Sequence, residues 1–320
     1  MSAYILRRIG YSIVVLVAAS VLVFVLVRVF GPDPAARLRA SRDPQAYLRE
    51  RARLGLDKPL VTQYVDSMSH IVRFEWGNSF KTGRSVTDSI RTALAHTIPL
   101  AFWGVLVSAL VAIFVGVQSA TRPYSTRDYV FTGLSFAGLA MPTFWFGLLC
   151  IEFLTYRLRR LLGTDMPIFY SAPIDTGGGL VEYARHMALP VLVLSVQLVA
   201  GWSRYLRSSM IGVMNTDFIR AARARGLSHR QVVLKHALRN SLTSLVTVMA
   251  IDVGALVGGL VVTETLFSIP GMGKLFVDSL IAGDTNVLMP WLLVTGTAIV
   301  LFNLIADVLY GVLDPRVRLA

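Results

Sequence analysis

Four carboxylates fall inside long apolar stretches of the 320-residue chain: Glu152, Asp252, Glu264 and Asp307. Charge at membrane depth is costly, so such groups line a polar path, pair with a partner, or sit near an end where water reaches them. Glu152 and Glu264 are expected near the outer ends of their stretches and Asp307 near an inner end, where solvation or arginine pairing is easy. Asp252 sits midway along its stretch, just before Gly254, Gly258 and Gly259. It is expected to face a polar pathway or a partner helix, with the Gly254–Gly258 spacing permitting close helix contact. Catalysis finds little footing. His70, His96, His186, His229 and His236 form no metal-spaced pair, and no serine occupies G-x-S-x-G. The single cysteine, Cys150, excludes a disulfide framework and a cysteine zinc site. Gly271-Met272-Gly273-Lys274 looks superficially like a phosphate loop, but the first glycine is misplaced and Leu275 stands where Ser or Thr would be needed. No catalytic residue, metal or bound cofactor is assigned, and the chain carries no recognisable ATP site.

The strongest local signal lies in residues 214–240. Thr216 or Asp217 can cap a helix, and Asp217 suits the positive end of its dipole. Phe218–Arg225 holds good helix formers, and Gly226 supplies a left-handed stop. Ser228 followed by Gln231 fits a capping box for a second helix that leads into an apolar stretch near Ser241. Phe218, Ala221, Ala222 and Arg225 share one helical face, low enough at the two alanines for close approach to a partner. Such a face suits a groove on another protein or, as an amphipathic alternative, an anionic lipid surface. DNA is disfavoured, because membrane spans close on both sides leave little reach into a groove.

The elements that must hold these residues are membrane spans. The chain is 54% hydrophobic and 16% charged, with a mean hydropathy of +0.61. Soluble domains average about 45–50% apolar and about 25% charged. A soluble enzyme, a disordered regulator and a disulfide scaffold are thereby excluded. Six apolar segments reach the ~20 residues needed to cross a bilayer: Tyr11–Phe30, Thr97–Ser119, Tyr129–Tyr156, Met187–Val213, Ser241–Phe267 and Val287–Leu313. The first is read as a retained anchor, since Arg28-Val29-Phe30-Gly31-Pro32 is no small-residue cleavage site. Met141-Pro142 should kink the third span and free a backbone carbonyl, with Phe144 and Trp145 nearby expected to serve mainly in packing. Setting aside the long segment 31–96, the positive-inside rule finds 14 Lys and Arg on one side against 5 on the other, which puts both termini in the cytoplasm. Arg157, Arg159 and Arg160 run against that bias. Residues 31–96 form an outer region with short helices expected at Gln45–Leu54 and Leu60–Val72, while Gly177-Gly178-Gly179 marks a turn in the second outer loop.

The stretch Asn215–Ser228 resembles the EAA loop of ABC-importer permeases, in the form found in the dipeptide/oligopeptide permease family. The likeness runs along nearly the whole chain. It includes Gly31-Pro32-Asp33-Pro34, Leu54-Gly55-Leu56-Asp57-Lys58-Pro59 and Trp76-Gly77-Asn78-Ser79 in the outer region. It continues through Pro142-Thr143-Phe144-Trp145-Phe146-Gly147, Phe267-Ser268-Ile269-Pro270-Gly271-Met272-Gly273 and the ending Asp314-Pro315-Arg316-Val317-Arg318. There are departures. Arg220 stands where the general EAA pattern has Glu, Thr243-Ser244 replaces Leu-Pro, which should leave the fifth span straighter at its start, and Asp284-Thr285-Asn286 is unusual.

The resemblance implies an all-α polytopic membrane protein with six transmembrane helices of the type I ABC-importer permease fold. Its parts would be residues 1–30 as tail and first span, 31–96 as a small extracytoplasmic region, and 97–320 as a five-helix core. It also implies a subunit of an ATP-driven peptide importer in the bacterial inner membrane, with nickel chelates or haem as alternative solutes. An ion-driven secondary transporter would be the reading from another class. Implied partners are a second, homologous permease, two cytoplasmic ATPases or a fused pair, an extracytoplasmic solute-binding protein and membrane lipid, but no nucleic acid. ATP and Mg2+ would reside on the ATPases. Asp217, Phe218, Arg220, Ala221, Ala222, Arg223, Gly226 and Ser228 would couple to those ATPases. Asp252, Pro142, Phe144, Trp145, Ser268, Pro270, Gly271 and Gly273 would line or gate the pathway.

Overall fold

Apolar runs of this length fold as helices because only a helix satisfies its own backbone in hydrocarbon. The computed structural model describes residues 2–39, 44–164, 166–171 and 179–313; Gly177-Gly178 and the ending Asp314–Arg318 lie outside them. In chain order the helices are α1 (Ser2–Phe30), α2 (Pro44–Arg53), α3 (Leu60–Val72), α4 (Val86–Thr121), α5 (Thr126–Ala140) and α6 (Thr143–Cys150). A π-helical stretch, Ile151–Arg157, leads into α7 (Leu158–Leu162). Then come α8 (Gly179–Met214), α9 (Asp217–Ala224) and α10 (His229–Gln231), and a second π-helical stretch, Val232–Leu238, joins α10 to α11 (Arg239–Val257). The chain continues with α12 (Val261–Leu266), α13 (Met272–Ala282) and α14 (Thr285–Leu313). Among the described residues no strand forms beyond one antiparallel bridge, Asn78 with Ser85.

Five helices are long and apolar enough to cross a membrane, and six if α5 and the helix resuming at Thr143 count as one broken crossing. That break is a 104° bend at Met141-Pro142. Met141 takes an extended conformation, which the residue before proline prefers, and Pro142 starts the next helix, where its missing N–H costs nothing. The fifth apolar helix differs from expectation. It runs from His229 to Val257 rather than over Ser241–Phe267. It passes straight through Thr243-Ser244, as their substitution for Leu-Pro implies, and stops before Gly259, whose φ of +105° no helix tolerates. Gly258 therefore lies beyond the helix that carries Gly254, so the pair forms no helical stripe. Asp252 sits near the end of its helix, not midway. Neither α7 nor α13 was foreseen; α13 is capped by Gly271 and closed by left-handed Gly283.

The contacts sort into two compact units. The first comprises residues 1–97, 257–261 and 270–300, and the second 98–256, 262–269 and 301–320. Within the first, Val86, Ile90, Ala93, Met272 and Val287 form one buried cluster, and Phe24, Ile71 and Met289 another. The second unit centres on α8, whose Trp202, Leu206 and Met210 are buried with Ile219, Ala222, Val232, Ala237 and Leu245.

Candidate functional site

The loop at 214–240 folds much as its capping residues dictate. Thr216 holds the N-cap backbone position of α9, but its hydroxyl donates back to the Val213 carbonyl instead of capping the helix. Asp217, in the first turn, pairs with Arg220 on the solvent side. Gly226 ends the helix at φ +80°, a left-handed stop as expected. Ser228 and Gln231 form the reciprocal capping box.

The helical face requires a correction. Ile219 and Ala222 are fully buried in a cluster that also holds Met210, Val232, Val233 and Ala237, while Phe218 is 43% exposed and Ala221, Arg223 and Arg225 are open. Ala222 thus anchors α9 to its own chain and does not share the outward face with Phe218, Ala221 and Arg225. The sequence reading passed over Ile219, whose apolar side chain three residues from Ala222 marks the inner stripe.

The intramembrane candidates separate. Asp252 accepts a hydrogen bond from the indole of buried Trp202 at 2.6 Å, so its partner is a helix of the same unit. Glu152 is exposed and pairs with Arg157 at 3.0 Å, which gives that arginine a role; its guanidinium also lies 4.8 Å from the Phe153 ring. Glu264, expected near solvent, is completely buried within α12. Phe144 and Trp145 are 56% and 47% exposed at the bend, so they are not part of this chain's own core. With Ala137, Ala140, Met141 and Pro142 they line an open apolar concavity. Ser268 is exposed with φ +54°, Pro270 is exposed, and Gly271 and Gly273 are buried.

In the first unit, two segments singled out separately meet. Ser79 donates to Asp284 at 2.6 Å, the Lys81 amide donates to the same carboxylate, and the Asn286 side chain donates to the Asn78 carbonyl at 3.0 Å. Beside them a cavity of about 450 Å³ is lined by Arg84, Asp88, Lys274, Asp278 and Asp284 among others. Gly31-Pro32-Asp33-Pro34 forms a second knot. Asp33 accepts from the Ala35 amide, the Tyr47 hydroxyl, Arg51 and Arg39. Burial pushes its carboxyl up, but the Tyr47 hydroxyl, the amide and the two arginines outweigh that and hold it below the ordinary carboxylate range.

Residues 90–319 match the family model of the binding-protein-dependent transport system inner membrane component, and residues 1–101 match its N-terminal companion. The chain belongs to this permease family. It is 37% identical to the oligopeptide transport system permease protein AppB of Bacillus subtilis, over 99% of this chain and 100% of that one. It is 34% identical to the di/tripeptide transport system permease protein DppB of Pseudomonas aeruginosa and to the dipeptide transport system permease protein DppB of Escherichia coli K12, each over 99% of both chains. Its fold is similar to that of the inward-facing MetNI methionine ABC transporter (TM-score 0.52, 19% identity, 72% of this chain and 96% of that one). In a permease of this family the arrangement offers a short helix with a buried inner stripe and an exposed outer one, a sharply bent apolar crossing, and a polar outer unit.

Proposed function

We propose that this chain is the permease subunit of an ATP-driven importer of di- and oligopeptides and forms half of the translocation pathway. The observation that carries the reading is the likeness to three permeases of peptide transport systems, at 34–37% identity over 99% of this chain. The excess of Lys and Arg in the short inner segments supports a multi-pass protein of the bacterial inner membrane with both termini in the cytoplasm. A second, homologous permease completes the pathway, two ATPase subunits or a fused pair bind ATP and Mg2+, and an extracytoplasmic solute-binding protein delivers the peptide.

Transport proceeds by alternating access. ATP binding draws the ATPases together, and α9 carries that movement into α8 and α11. Asp217, Phe218, Arg220, Ala221, Arg223 and Arg225 present the docking surface, while Ile219 and Ala222 fix it to the membrane core. Gly226 and Ser228 set the turn. Pro142, Phe144, Trp145 and Asp252 line the pathway, and Ser268, Pro270, Gly271 and Gly273 belong to the outer gate. The exposure of Phe144 and Trp145 beside the bend supports their part in this. The test is uptake of a labelled tripeptide by cells with and without this chain. The expected result is uptake lost on deletion, lost on ATP depletion and insensitive to a protonophore. Uptake that collapses with the proton gradient while ATP is held constant would overturn the reading in favour of a secondary transporter.

A further inference from the structure

Asp128 stands at the start of α5, three residues after its N-cap Ser125. An aspartate there needs only the helix dipole and stays in water, yet this one is 2% exposed. Arg207 of α8 grips it with two parallel bonds, Nε to Oδ1 and Nη2 to Oδ2, both 2.7 Å. The Ser119 hydroxyl donates to it at 2.7 Å and the Tyr124 amide at 2.8 Å, so one carboxylate gathers the end of α4, the turn after it, the start of α5 and α8. A bidentate arginine fixes angle as well as distance, which a lysine cannot.

The contact continues beyond this point. Ser135 and Ser203 place their hydroxyl oxygens 3.2 Å apart, Arg204 lies 4.7 Å from the Phe136 ring, and Gln197 donates to Thr143 past the proline bend. On the other side of Arg207, the buried cluster that holds Leu206 and Met210 also takes in Ile219 and Ala222 of α9, together with Val232, Val233 and Ala237. A continuous run of fixed contacts therefore joins the helix proposed to meet the ATPases to the bend at Pro142.

Resting on the importer reading, we infer that Asp128 and Arg207 are positioning residues for coupling: they bind α5 to α8 so that displacement of α9 reaches the bent crossing as motion of one body.

The test uses the complete transporter, reconstituted with its ATPases and binding protein, and reads tripeptide uptake per ATP hydrolysed. Arg207→Lys keeps the charge but loses the fork, and Asp128→Asn keeps the shape but loses the charge. In both, the ratio is expected to fall about fivefold or more, within the usual range of coupling between sites. If the pair only supports folding, less complex is recovered but its ratio equals wild type, which would overturn the inference. A second arm introduces Ser135→Cys and Ser203→Cys in a Cys150→Ala background, because the two hydroxyl oxygens, 3.2 Å apart, show that these side chains meet. Helices that move together transport equally well when cross-linked. Uptake blocked by the cross-link and restored by reductant, or a pair that fails to cross-link in membranes, would show that α5 and α8 are not held as one body. Absence of tripeptide uptake by the wild-type complex would instead sink the peptide reading, while the cross-linking yield still reports on the helix pair.

Discussion

Ala221 and Ala222 are adjacent and chemically identical, yet a glutamate has opposite meanings at the two. At Ala222 it places a charge inside the buried cluster that holds Ile219, Val232 and Ala237, and an unpaired buried charge is among the most destabilising of substitutions. At Ala221 it stands in water on the outer face of α9. Ala222→Glu is therefore expected to lower the amount of protein in the membrane, whereas Ala221→Glu leaves that amount unchanged and abolishes ATP-dependent uptake. Quantitative blotting beside uptake separates the two. Ile219→Ala should lose stability by about 2–5 kcal/mol, the range for a truncated core isoleucine. The sequence made α9, its left-handed stop and its following cap legible, because those depend on residues a few positions apart. Periodicity cannot say whether a small-residue face turns toward a partner or toward the chain's own core, and there the reading of Ala222 went astray. Asp33 offers a pH test. Its carboxyl titrates lower in the folded chain than in the unfolded one, so its contribution to stability is complete above about pH 4 and disappears as pH falls through the folded value. Asp33→Asn should lower the melting temperature at pH 6, and the gap from wild type should close on acidification. A gap that widens toward low pH would contradict the sign.

At the scale of elements, glycine chemistry decides where helices stop. Gly226 is left-handed with open space around it, so Gly226→Ala meets only backbone strain, about 1–2 kcal/mol. Gly259 has φ +105°, and a Cβ there would run into the backbone of Gly273 at the start of α13. Backbone cannot yield as a side-chain tip does, so Gly259→Ala should be far more harmful than Gly226→Ala. Thermal unfolding of the two purified variants checks the order, and equal losses would show that the crossing of these two glycines is not tight. The same residues explain what the sequence hid. The hydrophobic run from Ser241 to Phe267 looks continuous, but the chain turns at Gly258-Gly259 and continues as the short helix α12. By contrast α2 and α3 emerged within a residue of expectation, because Pro44 and Pro59 mark their starts in the sequence itself.

Across the whole molecule the candidate spans differ sharply in how much of their apolar surface the chain itself covers. Over an 18-residue apolar stretch, Gly179–Met214 is 61% buried, while Gly10–Phe30 and His229–Val257 are 17% buried. Lipid can cover plain apolar surface at no loss, so low burial alone does not demand a partner. The His229–Val257 helix is a different case. It carries Asp252, held by one oxygen to Trp202, and a carboxylate on so little-covered a helix is costly against lipid. A second permease or a polar pathway is expected to lie along it. Expressed with its homologous permease, the chain should be recovered from mild detergent as a stable assembly with that partner and the ATPases. Expressed alone, it should be recovered in lower amount, and Asp252→Leu should raise the recovery of the lone chain while lowering uptake by the full complex. Native mass spectrometry and quantitative blotting read both. A lone chain as abundant as the assembled one, unaffected by Asp252→Leu, would mean that the chain shields this carboxylate by itself.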